Sequence, residues 1–204
     1  GLPGAGLALA AYILTDNLST AMIILGITVG MVFVAHPDMR PFIAVAAAGV
    51  ILIVIGVLFL VATTKNSDSF RVMRVLVWLQ PEKYSDEGGY QTLQALYAIG
   101  SGGLFGRGLG NSIQKLGSVP EAQNDMIFSV ICEELGFFGA LFLMLLFAVL
   151  IWRFMVIATH TADLFGALIV AGIMGHIAIQ VILNIAVVTN TIPNTGITLP
   201  FVSY

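Results

Sequence analysis

No charged side chain interrupts the chain between Phe42 and Ala62, and Leu18 to Ala35 is a second run of the same kind. A helix needs about 20 apolar residues to cross the hydrocarbon core of a bilayer. Leu135 to Trp152 continues the milder stretch from Met126 to Glu134, which predicts one span over 126–152, and Leu164 to Thr189 predicts another. Leu2 to Leu14 reads as a partial span, joined to the next by the tight Thr15-Asp16-Asn17 turn. Composition agrees: 58% of residues are hydrophobic, 9% are charged and the mean hydropathy is +1.00, whereas soluble domains carry about a quarter charged residues. The expected fold is an all-α, polytopic membrane helical bundle, one transmembrane domain over 1–204 with a large loop at 63–125.

The same figures exclude some functions. A net charge of -3 gives no basic face for nucleic acid. Cys132, the one cysteine, cannot staple the chain to itself and is expected to be a buried, inert thiol. No charged n-region precedes a short apolar core, so no signal peptide is visible. Gly1 to Leu14 reads as the end of a helix that starts upstream and Tyr204 halts inside a motif, so the chain is expected to be a fragment.

Orientation follows from the short loops, where Lys and Arg mark the cytoplasm. The loops at 36–41 and 153–163 share one side and hold Arg40 and Arg153, while the 15–17 turn and the segment from Asn190 onward hold neither Lys nor Arg. The first pair is therefore cytoplasmic, and the long 63–125 loop is extracytoplasmic. Long loops are exempt from the rule, so Lys65, Arg71, Arg74, Lys83, Arg107 and Lys115 do not oppose this. Within that loop, Leu93, Leu96, Tyr97 and Ile99 give Tyr90 to Ser101 an amphipathic helical pattern. Such a helix either covers the mouth of the bundle or lies in the interface plane.

Six glycines follow between Gly100 and Gly110. Glycine permits positive φ and close approach of backbone N–H groups to an anion. No strand precedes them and no Gly-Lys-Ser/Thr closes them, so a nucleotide loop is excluded. Two readings stand: a flexible surface turn, or a mobile loop passing a lipid-linked pyrophosphate with Arg107 and Lys115 as anion partners.

Asp125 stands where the polar loop meets the next helix. An aspartate there is a good N-cap, worth about 1 kcal/mol, and also a carboxylate placed for chemistry at the membrane rim. Glu133 and Glu134 follow about 12 Å further along the helix axis. Their readings are structural pairing inside the bundle or, less supported, a paired-carboxylate site. His176, Gln180 and Asn184 recur at helical spacing as one polar stripe, for interhelical hydrogen bonding or for lining a substrate cavity.

The string GLGNSIQKLGSVPEAQNDMIFSVICEELGFFG resembles the SEDS family (shape, elongation, division and sporulation), and within it the FtsW branch more than the RodA branch. Arg74-Val-Leu-Val-Trp-Leu-Gln-Pro81 is similar to the family's entry to its large loop. Gly89-Tyr90-Gln91, with the Ala98 to Gly103 stretch, is similar to the next block. Pro193 to Tyr204 is similar to the start of its C-terminal signature. One departure is Asn17-Leu18-Ser19-Thr20, where the family often has Asp-Leu-Gly-Thr, so Asn17 replaces an acid and Asp16 sits one place earlier. By analogy the chain holds the later spans of a ten-helix protein, without the first ones and without the final one.

The resemblance implies a peptidoglycan glycosyltransferase that polymerises lipid II at the outer face of the bacterial cytoplasmic membrane, at the division septum. Its partners would be lipid II, a monofunctional class B penicillin-binding transpeptidase and other division proteins. Asp125 matches the family's essential aspartate and would be the general base. Arg74, Arg107 and Lys115 would meet the pyrophosphate, and Gln91, Glu121, Gln180, Asn184 and Ser203 are the other expected substrate-binding residues. No cofactor is fixed by the sequence; a divalent cation, magnesium or manganese, is the candidate, with unknown ligands.

Two other function classes remain open: a lipid II flippase, and a scaffold that only recruits a division-site transpeptidase. The chain shows no internal repeat of the transporter kind, and neither class needs a base at the outer rim. The orientation is directly testable. With Ser118→Cys, an impermeant thiol reagent applied from outside should label the protein, and with Thr161→Cys it should not. The reverse pattern would invert the topology.

Overall fold

The computed structural model describes residues 18–35, 70–87, 89–113 and 123–204. Among these residues the architecture is entirely helical, as expected. In chain order they form α1 (Leu18–Ala35), α2 (Phe70–Leu79), a 3-10 turn (Ser85–Glu87), α3 (Gly89–Gly102), α4 (Ile127–His160) and α5 (Leu164–Val188). The partial span at 2–14, the 15–17 turn with Asn17, the span at 42–62, and Lys115 and Glu121 lie outside the described residues.

Helix α1 has the bounds that its apolar run predicts. It packs on α5, where a Cβ at Gly26 would touch Ile179 and one at Gly172 would touch Met31. Those two contacts run in opposite senses along the helices, so α1 and α5 are antiparallel. The end of α1 and the start of α5 therefore lie at the same end of the bundle. Asp163 N-caps α5, its carboxylate accepting from the Gly166 N–H at 2.7 Å. At the other end Thr191 N–H donates to Ala186 O and Asn190 N–H to Val187 O, with Asn190 at φ 55. This is a Schellman closure with asparagine in the left-handed position that glycine usually fills. Asn190 also ties down α2: the Trp78 indole N–H donates to its carbonyl at 3.0 Å, and its side-chain amide donates to Trp78 O at 3.3 Å.

Helix α4 departs from the expected 126–152 span in two ways. It runs on to His160, eight residues beyond Trp152. Arg153 does not stop it, because a long cationic side chain at a helix end carries its charge out to the interface; hydropathy marks the end of the apolar run, not of the helix. The connection to α5 is correspondingly short. The larger difference is a break at Gly136, with φ 67 and ψ -166, a region of backbone space open essentially to glycine alone.

A break in an apolar helix orphans carbonyls on one side and N–H groups on the other, and each unsatisfied group costs several kcal/mol in lipid. The glycine-rich turn satisfies them. Arg107 N–H donates to Glu133 O and Gly108 N–H to Glu134 O, both at 2.9 Å. In return Phe137 N–H donates to Gly103 O at 2.9 Å and Phe138 N–H to Leu104 O at 3.2 Å. The turn is thus clasped to the break by backbone from both sides, contrary to the flexible and mobile readings of its sequence. Glycine is required by contact as well as by φ. A Cβ on Gly106 would run into Glu134 O and Gly136 N, and one on Gly136 into Gly106 N and Leu104 O.

Helix α3 appears where the amphipathic pattern predicts it, with a different buried face. Gly89, Thr92, Ala95, Ala98 and Gly102 are buried, whereas Tyr97 is 57% exposed. The small residues win because α3 approaches the first part of α4 backbone to backbone: a Cβ on Gly102 would overlap the Cys132 carbonyl. Cys132 itself is buried and unpaired, as expected.

Two helices among the described residues, α4 and α5, are long and apolar enough to cross a membrane. Beyond the break α4 exposes Phe137, Phe138, Leu141, Phe142, Leu145, Leu146 and Trp152. An apolar face of that extent is compatible with lipid and not with water. The clasp makes a stability prediction for the detergent-solubilised protein. Gly136→Ala and Gly106→Ala should each lower its thermal midpoint strongly, since the backbone strain alone costs about 1–3 kcal/mol before any overlap. Gly175→Ala, in an α5 position with open space around it, should be neutral or stabilising by about 0.5–1 kcal/mol. Equal effects at the three positions would contradict the clasp.

Candidate functional site

The turn Gln123–Met126 leads into α4, and Asp125 within it is buried, at 9% exposure. The sequence offers Asp125 as the cap of α4, but the structure does not use it so. Met126 occupies the N-cap position, with no side-chain cap bond. Its carbonyl receives both the backbone N–H of Ser129 at 3.0 Å and the Ser129 hydroxyl at 2.8 Å. The first turn closes one residue later than the aspartate, so Asp125 stands one place before the N-cap position.

Three elements hold Asp125 instead. From α3, the Gln91 amide Nε2 donates to Asp125 Oδ1 at 3.4 Å. From α5, Asn184 is fully buried, and its Nδ2 donates both to the Asp125 backbone carbonyl and to Ile197 O, each at 2.7 Å. The segment after α5 supplies the third side. Ser203 Oγ donates to Asn124 O at 2.6 Å and accepts from Leu199 N–H at 2.7 Å, and Tyr204 N–H donates to Gln123 O at 3.1 Å. Asn194 Nδ2 donates to Gln91 Oε1 at 3.2 Å and its own Oδ1 accepts from Gly196 N–H at 3.0 Å. Buried Leu199 and Ile197 anchor this segment in the core.

Of the residues expected at a site, Asp125, Gln91, Asn184 and Ser203 therefore converge. Gln180 sits half-buried one turn below Asn184 on α5, and His176, a further turn down, is exposed, so the polar stripe is engaged at its Asn184 end. Arg74 is exposed on α2. Arg107 belongs to a different cluster. Glu133 is fully buried, and its carboxylate accepts from the Ser112 hydroxyl, from Ser101 Oγ at 3.4 Å and from Ile113 N–H at 3.3 Å. Arg107 Nη1 stands 3.5 Å from the same carboxylate. That is the structural pairing the sequence allows for Glu133, applied to the glycine-rich turn.

Asn194 is the member of the site that sequence reasoning passes over. In Pro193-Asn194-Thr195-Gly196 it reads as a turn former, and its Gly196 bond is that of an ordinary Asx turn; nothing local announces the second bond to Gln91. The Gln91 and Asn184 amides and the Ser203 hydroxyl stand around the 124–125 segment. Among the described residues no three His, Cys, Asp or Glu side chains stand together.

Comparison with known proteins agrees with this frame. A family model described as Cell cycle protein, covering FtsW, RodA and SpoVE, matches residues 4–204. Stage V sporulation protein E of Bacillus subtilis (strain 168) is 41% identical, over 100% of this chain and 54% of its own length. The probable peptidoglycan glycosyltransferase FtsW of Coxiella burnetii is 37% identical, over 98% of this chain and 52% of its own. The protein of the same name from Bacillus subtilis is 39% identical, over 92% and 47%. A solved chain from work described as structural coordination of polymerization and crosslinking by a peptidoglycan synthase complex superposes with a TM-score of 0.68 at 26% identity, covering 98% of this chain and 55% of that one. The chain spans about half the length of the curated relatives it matches. With the family model matching nearly end to end, the chain belongs to the FtsW/RodA/SpoVE family, the SEDS family to which its motifs point.

Proposed function

We propose that the full-length protein is a peptidoglycan glycosyltransferase that polymerises lipid II into glycan strands at the outer face of the bacterial cytoplasmic membrane during cell division. The observation that carries this reading is Asp125: a buried carboxylate just ahead of a membrane helix, held among α3, α5 and the segment after α5. The names of the FtsW relatives support the reaction class. The positive-inside argument supports the outward orientation of this end.

The chemistry asks for little else. A sugar hydroxyl of the acceptor attacks the anomeric carbon of the donor. Its proton passes to the Asp125 carboxylate as the new C–O bond forms. The bond from the anomeric carbon to the pyrophosphate oxygen breaks, and undecaprenyl pyrophosphate leaves with the electron pair. A positioned base contributes about 10²–10⁴ in rate. The leaving group is already a good one, so cations suffice to meet its developing charge. Arg74 and Lys115 are our candidates for that role. Arg107 is not, because Glu133 already holds it. Gln180 and Glu121 remain candidates for contacts with the sugar or peptide. No step is routed through a metal ion. A class B penicillin-binding transpeptidase is the proposed partner, in line with the pairing of polymerization and crosslinking in the similar solved complex. The division septum is the proposed location.

The test is polymer formation from purified lipid II by the full-length protein with its partner. Asp125→Asn retains an oxygen for the Gln91 amide, so the thermal midpoint should hold while the rate falls by about 10²-fold or more. Polymer made by this variant at the native rate would remove Asp125 from the mechanism. Native protein that moves lipid II across vesicles without making polymer would favour a flippase, and native protein inert in both assays a scaffold.

A further inference from the structure

The bonds leading to Asp125 form a series with a fixed direction. Gly196 N–H donates to Asn194 Oδ1, Asn194 Nδ2 to Gln91 Oε1, and Gln91 Nε2 to Asp125 Oδ1. A carboxylate only accepts, so Gln91 must turn its nitrogen towards Asp125 and its oxygen away. That oxygen then needs a donor, and Asn194 supplies one only if its own oxygen faces the Gly196 N–H. Each amide has two chemically opposite ends: the Asp125 carboxylate selects that of Gln91, the Gly196 N–H selects that of Asn194, and the two selections agree.

We propose that Asn194 is a positioning residue for Asp125, acting through Gln91 by fixing which end of the Gln91 amide meets the carboxylate. This rests on the reading of Asp125 as the base and adds what aims it. Asn194 sits on the segment after α5, Gln91 on α3 and Asp125 ahead of α4, so the series also makes the geometry of the carboxylate depend on that segment staying folded over the site. It gives Gln91 a place in the frame and not on the substrate.

The polarity can be challenged without changing shape. Asn194→Asp keeps an acceptor for Gly196 N–H and cannot donate to Gln91. The Gln91 amide then has a carboxylate at each end and only one Nε2 to offer, so the new carboxylate competes with Asp125 for it. In the full-length protein with its partner, Asn194→Asp should lower kcat for lipid II polymerisation by about tenfold or more with little change in KM, as expected when a half-buried polar group loses its partner. Asn194→Ala should cost less, because Gln91 can still present its nitrogen. A role in packing or in the turn alone gives the opposite order, since aspartate preserves the turn and alanine does not. In a Gln91→Leu background Asn194→Asp should have no further effect; a persisting loss would mean that the new charge acts directly, and would overturn the proposal. Should Asn194→Asp fail to fold, Gln91→Glu sets like charges together at the same spacing, and native kcat in that variant would overturn it equally. If Asp125→Asn is inactive while Asn194→Asp polymerises at the native rate, the positioning role alone falls. If both polymerise at the native rate, the base falls with it.

Discussion

Four backbone hydrogen bonds join the 103–108 turn to the break in α4, and the rest of the site's frame is arranged around them. A helix in lipid cannot simply stop and restart, because its loose carbonyls and N–H groups have no water to turn to. Here they find the backbone of a turn that is free of side chains where the two meet, at Gly106 and Gly136. Everything on the site's side of the break follows. The part of α4 before Gly136 is separated from the long apolar arm, α3 is drawn against it at Gly102, and Asp125 stands at its head about 16 Å from the break.

The two buried carboxylates ahead of the break then divide the work according to their partners. Glu133 gathers hydroxyls, a backbone N–H and the Arg107 guanidinium, and so pins the turn whose backbone closes the break. Asp125 accepts from the Gln91 amide of α3 at its carboxylate and from the Asn184 amide of α5 at its backbone carbonyl. The Glu133 ion pair suits the fixing of a loop, whereas the contacts to Asp125 tie α3, α5 and the segment after α5 to the head of α4.

Much of this was legible in the sequence. The apolar run of α1 ends where the helix ends, α3 starts within a residue of its amphipathic pattern, and Asp125, Gln91, Asn184 and Ser203 do meet. What the sequence hid was non-local. Apolar residues continue through Gly136 without a pause, and a glycine in such a run looks tolerable; the break exists because a turn some thirty residues upstream completes it. The same turn reads as loose from its six glycines, yet Gly102 and Gly106 are there to allow close backbone approach. The small-residue face of α3 was missed for a related reason, since hydropathy favours Leu93 and Leu96 while backbone contact selects Ala95 and Ala98. Asp125 fits cap statistics one residue too early, and Asn194 shows only its local bond.

Hydrogen–deuterium exchange on the full-length protein in lipid nanodiscs tests the clasp most directly. The amides of Arg107, Gly108, Phe137 and Phe138 should exchange as slowly as those inside α4, and Gly136→Ala should release all four together. Fast exchange across 103–108 in the native protein, at the rate of an open loop, would contradict the account and return this turn to the mobile segment its composition suggests.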